Sequence, residues 1–460
     1  MKALKASIKY RLKDGYSVVH EAIIENSDGR ARGRRGLLAG TLCSNFFSHL
    51  ISGTYFTSLM LAMDADDVYI GYISMLITTC GFFQMFAPLF LEKLQRRKTL
   101  LLVMRGVQNF LNIVVVGIIP LMPWPKETIL TVFMITVFLV YVLNALGSPG
   151  YSGWHIQSLP YEKRVNYWTI QNMSTSLLGV SIAYIAGVFL DFFENNAISF
   201  GGMTPTITAL ILMRIVAVVT AALEIFFYSW IGEYPYEKEQ NAKDNSGFRM
   251  LWKPIMNKGY MQTVSVQFLW TFITAIIGPY FSVYVIDEVK MSYSFIALGG
   301  VISTPIILIV TPIWGKLLQR KNWIRLMGFG MAGYSLAYFF NMLITSSTQM
   351  LYPIAIIICY IFSPCITIAM GQLNYLKLPQ QNITTYLSLF SILNQGVSLL
   401  GTFLGTQFIA LTENMIIEIF GFRMINKQYI NMIQMCGILL LVLYVFHLDR
   451  RIRKEQEAAN

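Results

Sequence analysis

Twelve stretches of this chain are apolar over about 20 residues or more, long enough for a helix to cross a hydrocarbon core of roughly 30 Å. They run 36–63, 68–92, 99–122, 128–152, 167–190, 205–231, 260–286, 292–315, 323–346, 349–372, 384–412 and 428–447, divided by charged or Pro/Gly-rich loops. Only 13% of the residues are charged, against about 25% in soluble domains, and 55% are hydrophobic. With a mean hydropathy of +0.54, these values exclude a soluble fold. An all-α integral membrane protein with twelve transmembrane helices is expected.

The formal net charge of +11 invites a nucleic-acid partner, but the distribution of charge argues against one. With the amino terminus taken as cytoplasmic, nearly all Lys and Arg fall on one side. They sit in the tail from Lys2 to Arg35, in Lys93–Lys98, Lys163 and Arg164, in the stretch from Lys238 to Lys258, and in Lys316–Arg325, Lys377 and Arg450–Lys454. The opposite side holds only Lys126, Lys290, Arg423 and Lys427, while Arg105 and Arg214 lie within spans. Such asymmetry is the positive-inside rule, with both termini cytoplasmic in a cell membrane. In the tail, Leu4, Ile8 and Leu12 share a helical face among basic residues, so a helix on the inner leaflet and a solvated tail both remain open. The five cysteines lie inside spans, and neither Cys nor His shows metal-ligand spacing, so neither a disulfide framework nor a cofactor is expected.

The two halves echo each other. Pro88 to Arg97 (PLFLEKLQRR) returns as Pro312 to Lys321 (PIWGKLLQRK), 224 positions on. Leu159-Pro160 followed by Tyr167 returns as Leu378-Pro379 followed by Tyr386, 219 positions on. Nearly equal offsets are what a half-chain duplication with small loop changes produces. The charged stretch between Gly232 and Gly259 then reads as a linker. The domain expectation is a basic tail 1–35, a six-helix bundle 36–232, a cytoplasmic linker 233–258, a second six-helix bundle 259–448 and a tail 449–460.

These residues resemble the major facilitator superfamily. In its signature between the second and third helices, Glu92 stands at the acidic position, Lys93 at the first basic one and Arg96-Arg97 at the closing pair, while Pro88 and Gln95 replace two glycines. In the second copy Lys316 holds the acidic position. Trp154, Leu159-Pro160 and Arg164-Val165-Asn166-Tyr167 are similar to the fourth-to-fifth loop of many bacterial members. The resemblance implies two pseudo-symmetric bundles, with spans 1, 4, 7 and 10 lining a central cavity. It also implies a cytoplasmic latch, for which the gating residues are Glu92, Lys93, Arg96, Arg97, Gln319, Arg320 and Lys321.

Each cavity span carries a polar stripe, and polar groups in hydrocarbon need a reason to be there. Asn45, His49 and Ser52 share a face in span one; Tyr141, Asn144 and Ser148 do so in span four. Span seven offers Gln267, Thr271, Thr274 and Gly278 with Trp270 on the flank, and span ten offers Tyr360, Ser363 and Thr367 beside Pro364. Candidate substrate-binding residues are therefore Asn45, His49, Tyr141, Asn144, Arg214, Gln267, Trp270, Thr274 and Tyr360. Arg214 reads either as a fork-shaped donor to an anionic solute or as part of an ion pair or carbonyl cluster holding span six. Glu224, near the cytoplasmic end of the same span, is expected to snorkel. Gly179, Ala183 and Gly187, like Gly401 and Gly405, have the spacing of close helix packing. No catalytic residue is expected: of His20, His49, His155 and His447, only His49 reads as buried.

The expected function is secondary active transport of a small organic solute by alternating access. The expected partners are that solute, the bilayer and a coupling H+ or Na+, and a monomer is expected. His49 is the proton carrier if protons are used, because it alone in the cavity spans titrates near neutral pH. The rival readings are a lipid flippase or drug exporter of the same fold and, remotely, an intramembrane enzyme.

Overall fold

The computed structural model describes residues 23–25, 29–87, 91, 96–160, 164–233, 253–278, 280–320, 322–373, 383–412, 417–419 and 422–459. The tail helix over Leu4–Leu12, the linker core, Glu92, Lys93, Lys321 and the Leu378-Pro379 echo lie outside them. Helices cover all twelve expected spans. In chain order these are α1 (Ala31–Ile51), α2 (Asp67–Cys80), α3 (Lys98–Asn109), α4 (Lys126–Gln157), α5 (Arg164–Asn195) and α6 (Pro205–Tyr228). Then follow α7 (Lys258–Ile277), α8 (Tyr293–Arg320), α9 (Trp323–Met342), α10 (Leu351–Leu373), α11 (Ile383–Leu411) and α12 (Asn426–Ala459). Among the described residues there is also a short antiparallel pair, β1 (Ile417–Ile419) and β2 (Phe422–Met424).

Ten helices among the described residues are long and apolar enough to cross a membrane. The molecule is apolar on the outside: Leu177, Ile185, Val219, Leu308, Ile309, Leu440 and Leu443 are all more than half exposed. Water would penalise such a surface, whereas lipid does not. The chain is a multi-pass membrane protein. The first span and α9 fall outside the ten, and the first span breaks at Ser52-Gly53. There Gly53 takes φ +60°, ψ −127°, a conformation that a side chain resists, before a second piece, Thr54–Ala62.

Contacts divide the chain into two units. One comprises Met1–Met63 with Phe83–Lys238; the other comprises Asp64–Phe82 with Glu239–Asn460. Chain order would put α2 in the first bundle, but its contacts are in the second unit. Its Gly71 lies against the Tyr280 hydroxyl and Thr406, and Gly81 lies against the Gln395 amide, where any Cβ would collide. At its start, Asp67 pairs with Lys427 of α12 at 2.7 Å, and Lys427 also holds Glu288 at 3.0 Å.

In the first unit, α1 packs on α6 through Gly36 and Gly40, which lie against the Phe227 carbonyl and the Tyr228 ring. The fourth-to-fifth motif is core. Trp154, Leu159 and Tyr167 are buried with Leu37, Leu101 and Ile231. The Trp154 indole donates to the Gly232 carbonyl at 2.9 Å, and the Tyr167 hydroxyl donates to the Arg34 carbonyl at 3.2 Å. In the second unit, α9, α10 and α12 enclose Met327, Met331, Cys365, Ile366, Ile438 and Val445. Gly401 and Gly405 of α11 face the carbonyls of Phe272 and Ile276 on α7, the close helix approach their spacing suggested.

Candidate functional site

Four of the expected cavity residues come together in the second unit. Gln267 and Trp270 of α7 meet Ser363 and Thr367 of α10 around a cavity of about 320 Å³, completed by Tyr334 of α9 and by Ile366, Met370 and Gly371 of α10. The side chains converge because Gln267 and Trp270, like Ser363 and Thr367, lie about one helical turn apart on their helices. Trp270 stands edge-on to Tyr334 at 5.4 Å between ring centroids, and Tyr334 stands edge-on to Tyr338 at 5.6 Å. That array gives the cavity an aromatic wall held in one orientation. The lining also holds the Gln267 amide and the Ser363 and Thr367 hydroxyls, the last of which donates to the Ser363 carbonyl at 3.0 Å. Among the described lining residues there is no charged side chain.

The other candidates of the second unit lie apart from this lining. The Thr274 hydroxyl bonds back to the Trp270 and Thr271 carbonyls at 2.9 and 3.3 Å. Thr271 donates to Asn394 of α11 at 2.8 Å, which makes Asn394 helix glue. Tyr360 is half-buried on α10 and is not among the lining residues. Tyr334 was absent from the sequence expectation, which looked for the cavity on spans 1, 4, 7 and 10. The available signal was the one-turn pair Tyr334/Tyr338 in an apolar span.

In the first unit the structure brings Asn45 and His49 together. Both face Gly179 of α5, which leaves room for the imidazole. The Asn45 Oδ1 atom is buried with no hydrogen-bond partner among the described residues. Tyr141 and Asn144 are half-buried on α4. His155 corrects the reading that only His49 is buried: its ring lies among those of Tyr151, Trp154 and Tyr228, 5.0 to 6.3 Å away.

Arg214 takes the carbonyl-cluster alternative. It is buried, and its guanidinium donates to the Asn112 carbonyl at 2.7 Å and the Ile113 carbonyl at 3.3 Å. The wider π turn of Phe110–Val115, which extends α3, frees carbonyls that α-helical bonding would occupy. Gly117 makes room for the arginine stem. Through Nη1 alone, Arg214 ties α6 to two carbonyls of this turn. Glu224 does not snorkel, because it is fully buried. It accepts from Arg105 at 2.9 Å and from Asn109 at 2.7 Å, while Arg105 also reaches Ser44 at 2.8 Å and Gln108 at 3.2 Å. The intramembrane charges are thus an internal network joining α1, α3 and α6.

Of the gating candidates, Arg96 is exposed and Arg97 half-buried just before α3, and Gln319 and Arg320 close α8. Glu92, Lys93 and Lys321 are outside the described residues.

The family model described as Major Facilitator Superfamily matches residues 37–402. The chain belongs to this superfamily. No curated protein sequence matches it. Among solved structures, a mutant of the nucleoside transporter NupG aligns over 90% of this chain and 99% of its own, with a TM-score of 0.64 and 10% identity. A bacterial homologue of the iron transporter ferroportin, in an inward-facing state, covers 91% and 98%, with a TM-score of 0.63 and 13% identity. A POT family transporter in complex with 5-aminolevulinic acid covers 94% and 99%, with a TM-score of 0.64 and 13% identity. At such identities the likeness is one of fold. Membership supports a membrane transporter over an enzyme.

Proposed function

We propose that this superfamily member is a secondary carrier that moves a small, uncharged, hydrogen-bonding organic solute by alternating access of two six-helix halves. The observation that carries this reading is the cavity of about 320 Å³ lined by two aromatic rings, an amide and two hydroxyls, with no charged side chain among the described lining residues. A ring-bearing polyol or a nucleoside-like compound could stack on Trp270 and bond Gln267, Ser363 and Thr367. Among the described lining residues a carboxylate would meet no cation, and Arg214 is not one of them. His49 and Asn45 are proposed as the polar pair through which the first half contributes to binding. Arg96, Arg97, Gln319 and Arg320, with Glu92, Lys93 and Lys321, are proposed as the cytoplasmic latch. The positive-inside pattern supports cytoplasmic termini.

The test is thermal melting of the purified chain against nucleosides, hexoses and short-chain carboxylates, repeated in Gln267→Ala and Trp270→Ala. At least one uncharged compound should raise the melting temperature of the wild type, and both variants should lose that rise. Stabilisation by carboxylates alone, or a rise that survives both substitutions, would overturn the reading.

A further inference from the structure

A second concave site lies where the second unit leaves the apolar layer. It is lined by Arg325 and Phe329 of α9 and by Phe446, Asp449, Arg450 and Arg453 of α12, and its volume is about 310 Å³. Its frame is fixed. Asp449 is buried and accepts from the Asn322 side-chain Nδ2 at 2.6 Å, while the Asn322 side-chain Oδ1 caps α9 by accepting from the backbone N–H groups of Ile324 and Arg325. Gly328 lets the Phe446 ring lie flat against α9, where a Cβ would stand 2.7 Å from it. Phe446 in turn meets Phe329 edge-on at 5.4 Å.

The charge of the site is unbalanced. Asp449 is the one carboxylate among the described lining residues, and Arg453 bonds it at 3.2 Å. Among the described residues neither Arg325 nor Arg450 has an ion-pair partner, and both are exposed. Two guanidiniums therefore point into a groove with no counter-charge, beside a third that is matched. Below them the groove continues as lipid-facing surface. Arg325, Phe329 and Leu336 lie along one face of α9, at steps of four and seven residues. Arg450, Leu443 and Leu440 do the same on α12, at steps of seven and three. Phe329, Leu336, Leu440 and Leu443 are 51 to 67% exposed. Cations at the end of paired apolar stripes match one kind of molecule, an anion carrying a hydrocarbon chain.

We propose that this groove is a binding site for an anionic phospholipid, whose phosphodiester is held by Arg325 and Arg450 and whose acyl chain lies along Phe329, Leu336 and Leu443. Guanidiniums suit phosphate oxygens because their N–H groups form a planar fork. A basic pocket between helices at the membrane boundary is where an anionic headgroup gains most. Free phosphate would use the arginines but not the apolar stripes, and a zwitterionic lipid would use the stripes but bring its own cation. The site stands apart from the Gln267/Trp270 cavity and does not depend on the solute read there.

The test is native mass spectrometry of the full chain titrated with phosphatidylglycerol, phosphatidylcholine or sodium phosphate. The wild type is compared with Arg325→Gln/Arg450→Gln, with the charge-keeping Arg325→Lys/Arg450→Lys, and with Lys316→Gln as a cation lost outside the groove. Melting of each lipid-free protein checks the fold. The wild type, the double lysine variant and Lys316→Gln should each hold one phosphatidylglycerol about tenfold or more tighter than phosphatidylcholine. The double glutamine variant should melt like the wild type yet hold the two lipids alike. Selectivity that persists in the folded double glutamine variant, or is absent from the wild type, would overturn the proposal. So would inorganic phosphate binding with the same arginine dependence while phosphatidylglycerol shows none.

Discussion

Arg105 and Arg214 show two ways in which a guanidinium is tolerated inside this bundle. Arg105 has a carboxylate, Glu224, and Arg214 has carbonyls freed by a π turn. The consequences of substitution differ accordingly. Glu224→Gln leaves Arg105 largely buried without a counter-charge, which should cost about 3–5 kcal/mol. The double substitution Arg105→Met/Glu224→Met should recover most of that loss, because neither charge remains to be desolvated. A double-mutant cycle on melting or chemical denaturation measures the coupling. Arg214→Met strands two buried carbonyls and should cost about 1–3 kcal/mol while leaving solute selectivity unchanged, as competition binding would show. A change in selectivity would return Arg214 to the substrate path.

At the scale of elements, the α7–α11 and α2–α11 contacts depend on absent side chains. At Gly405 a Cβ would run into the Ile276 carbonyl, which cannot move without unwinding α7. Gly405→Ala should therefore destabilise by about 1–3 kcal/mol, measured by thermal or denaturant unfolding. Gly153, with nothing near its Cβ position, should accept alanine at little cost. The twelve spans were legible in the sequence because apolar length is a local property, and the packing role of Gly401 and Gly405 followed from their spacing. What was not legible is which helices are neighbours. Arg105 and Glu224 stand 119 residues apart, and no periodicity announces that α3 faces α6. The same blindness hid Tyr334. The expectation confined the cavity to four spans, whereas α9 supplies the ring that Trp270 packs against. Nor could chain order show that Asp64–Phe82 makes its contacts in the second unit.

Taken whole, the molecule is a superfamily transporter whose described intramembrane charges are used internally, while the proposed solute contacts are neutral. The proposed solute is held by the aromatic and amide lining of the α7–α9–α10 cavity. The most direct test is facilitated counterflow in proteoliposomes, using the compound that most raises the melting temperature of the wild type. Wild-type vesicles preloaded with that compound should accumulate its labelled form. Gln267→Ala vesicles, with protein of unchanged melting temperature, should need roughly five- to tenfold more of it for half-maximal uptake, the effect of one lost hydrogen bond. Uptake with unchanged concentration dependence in Gln267→Ala and in Trp270→Ala would contradict the account.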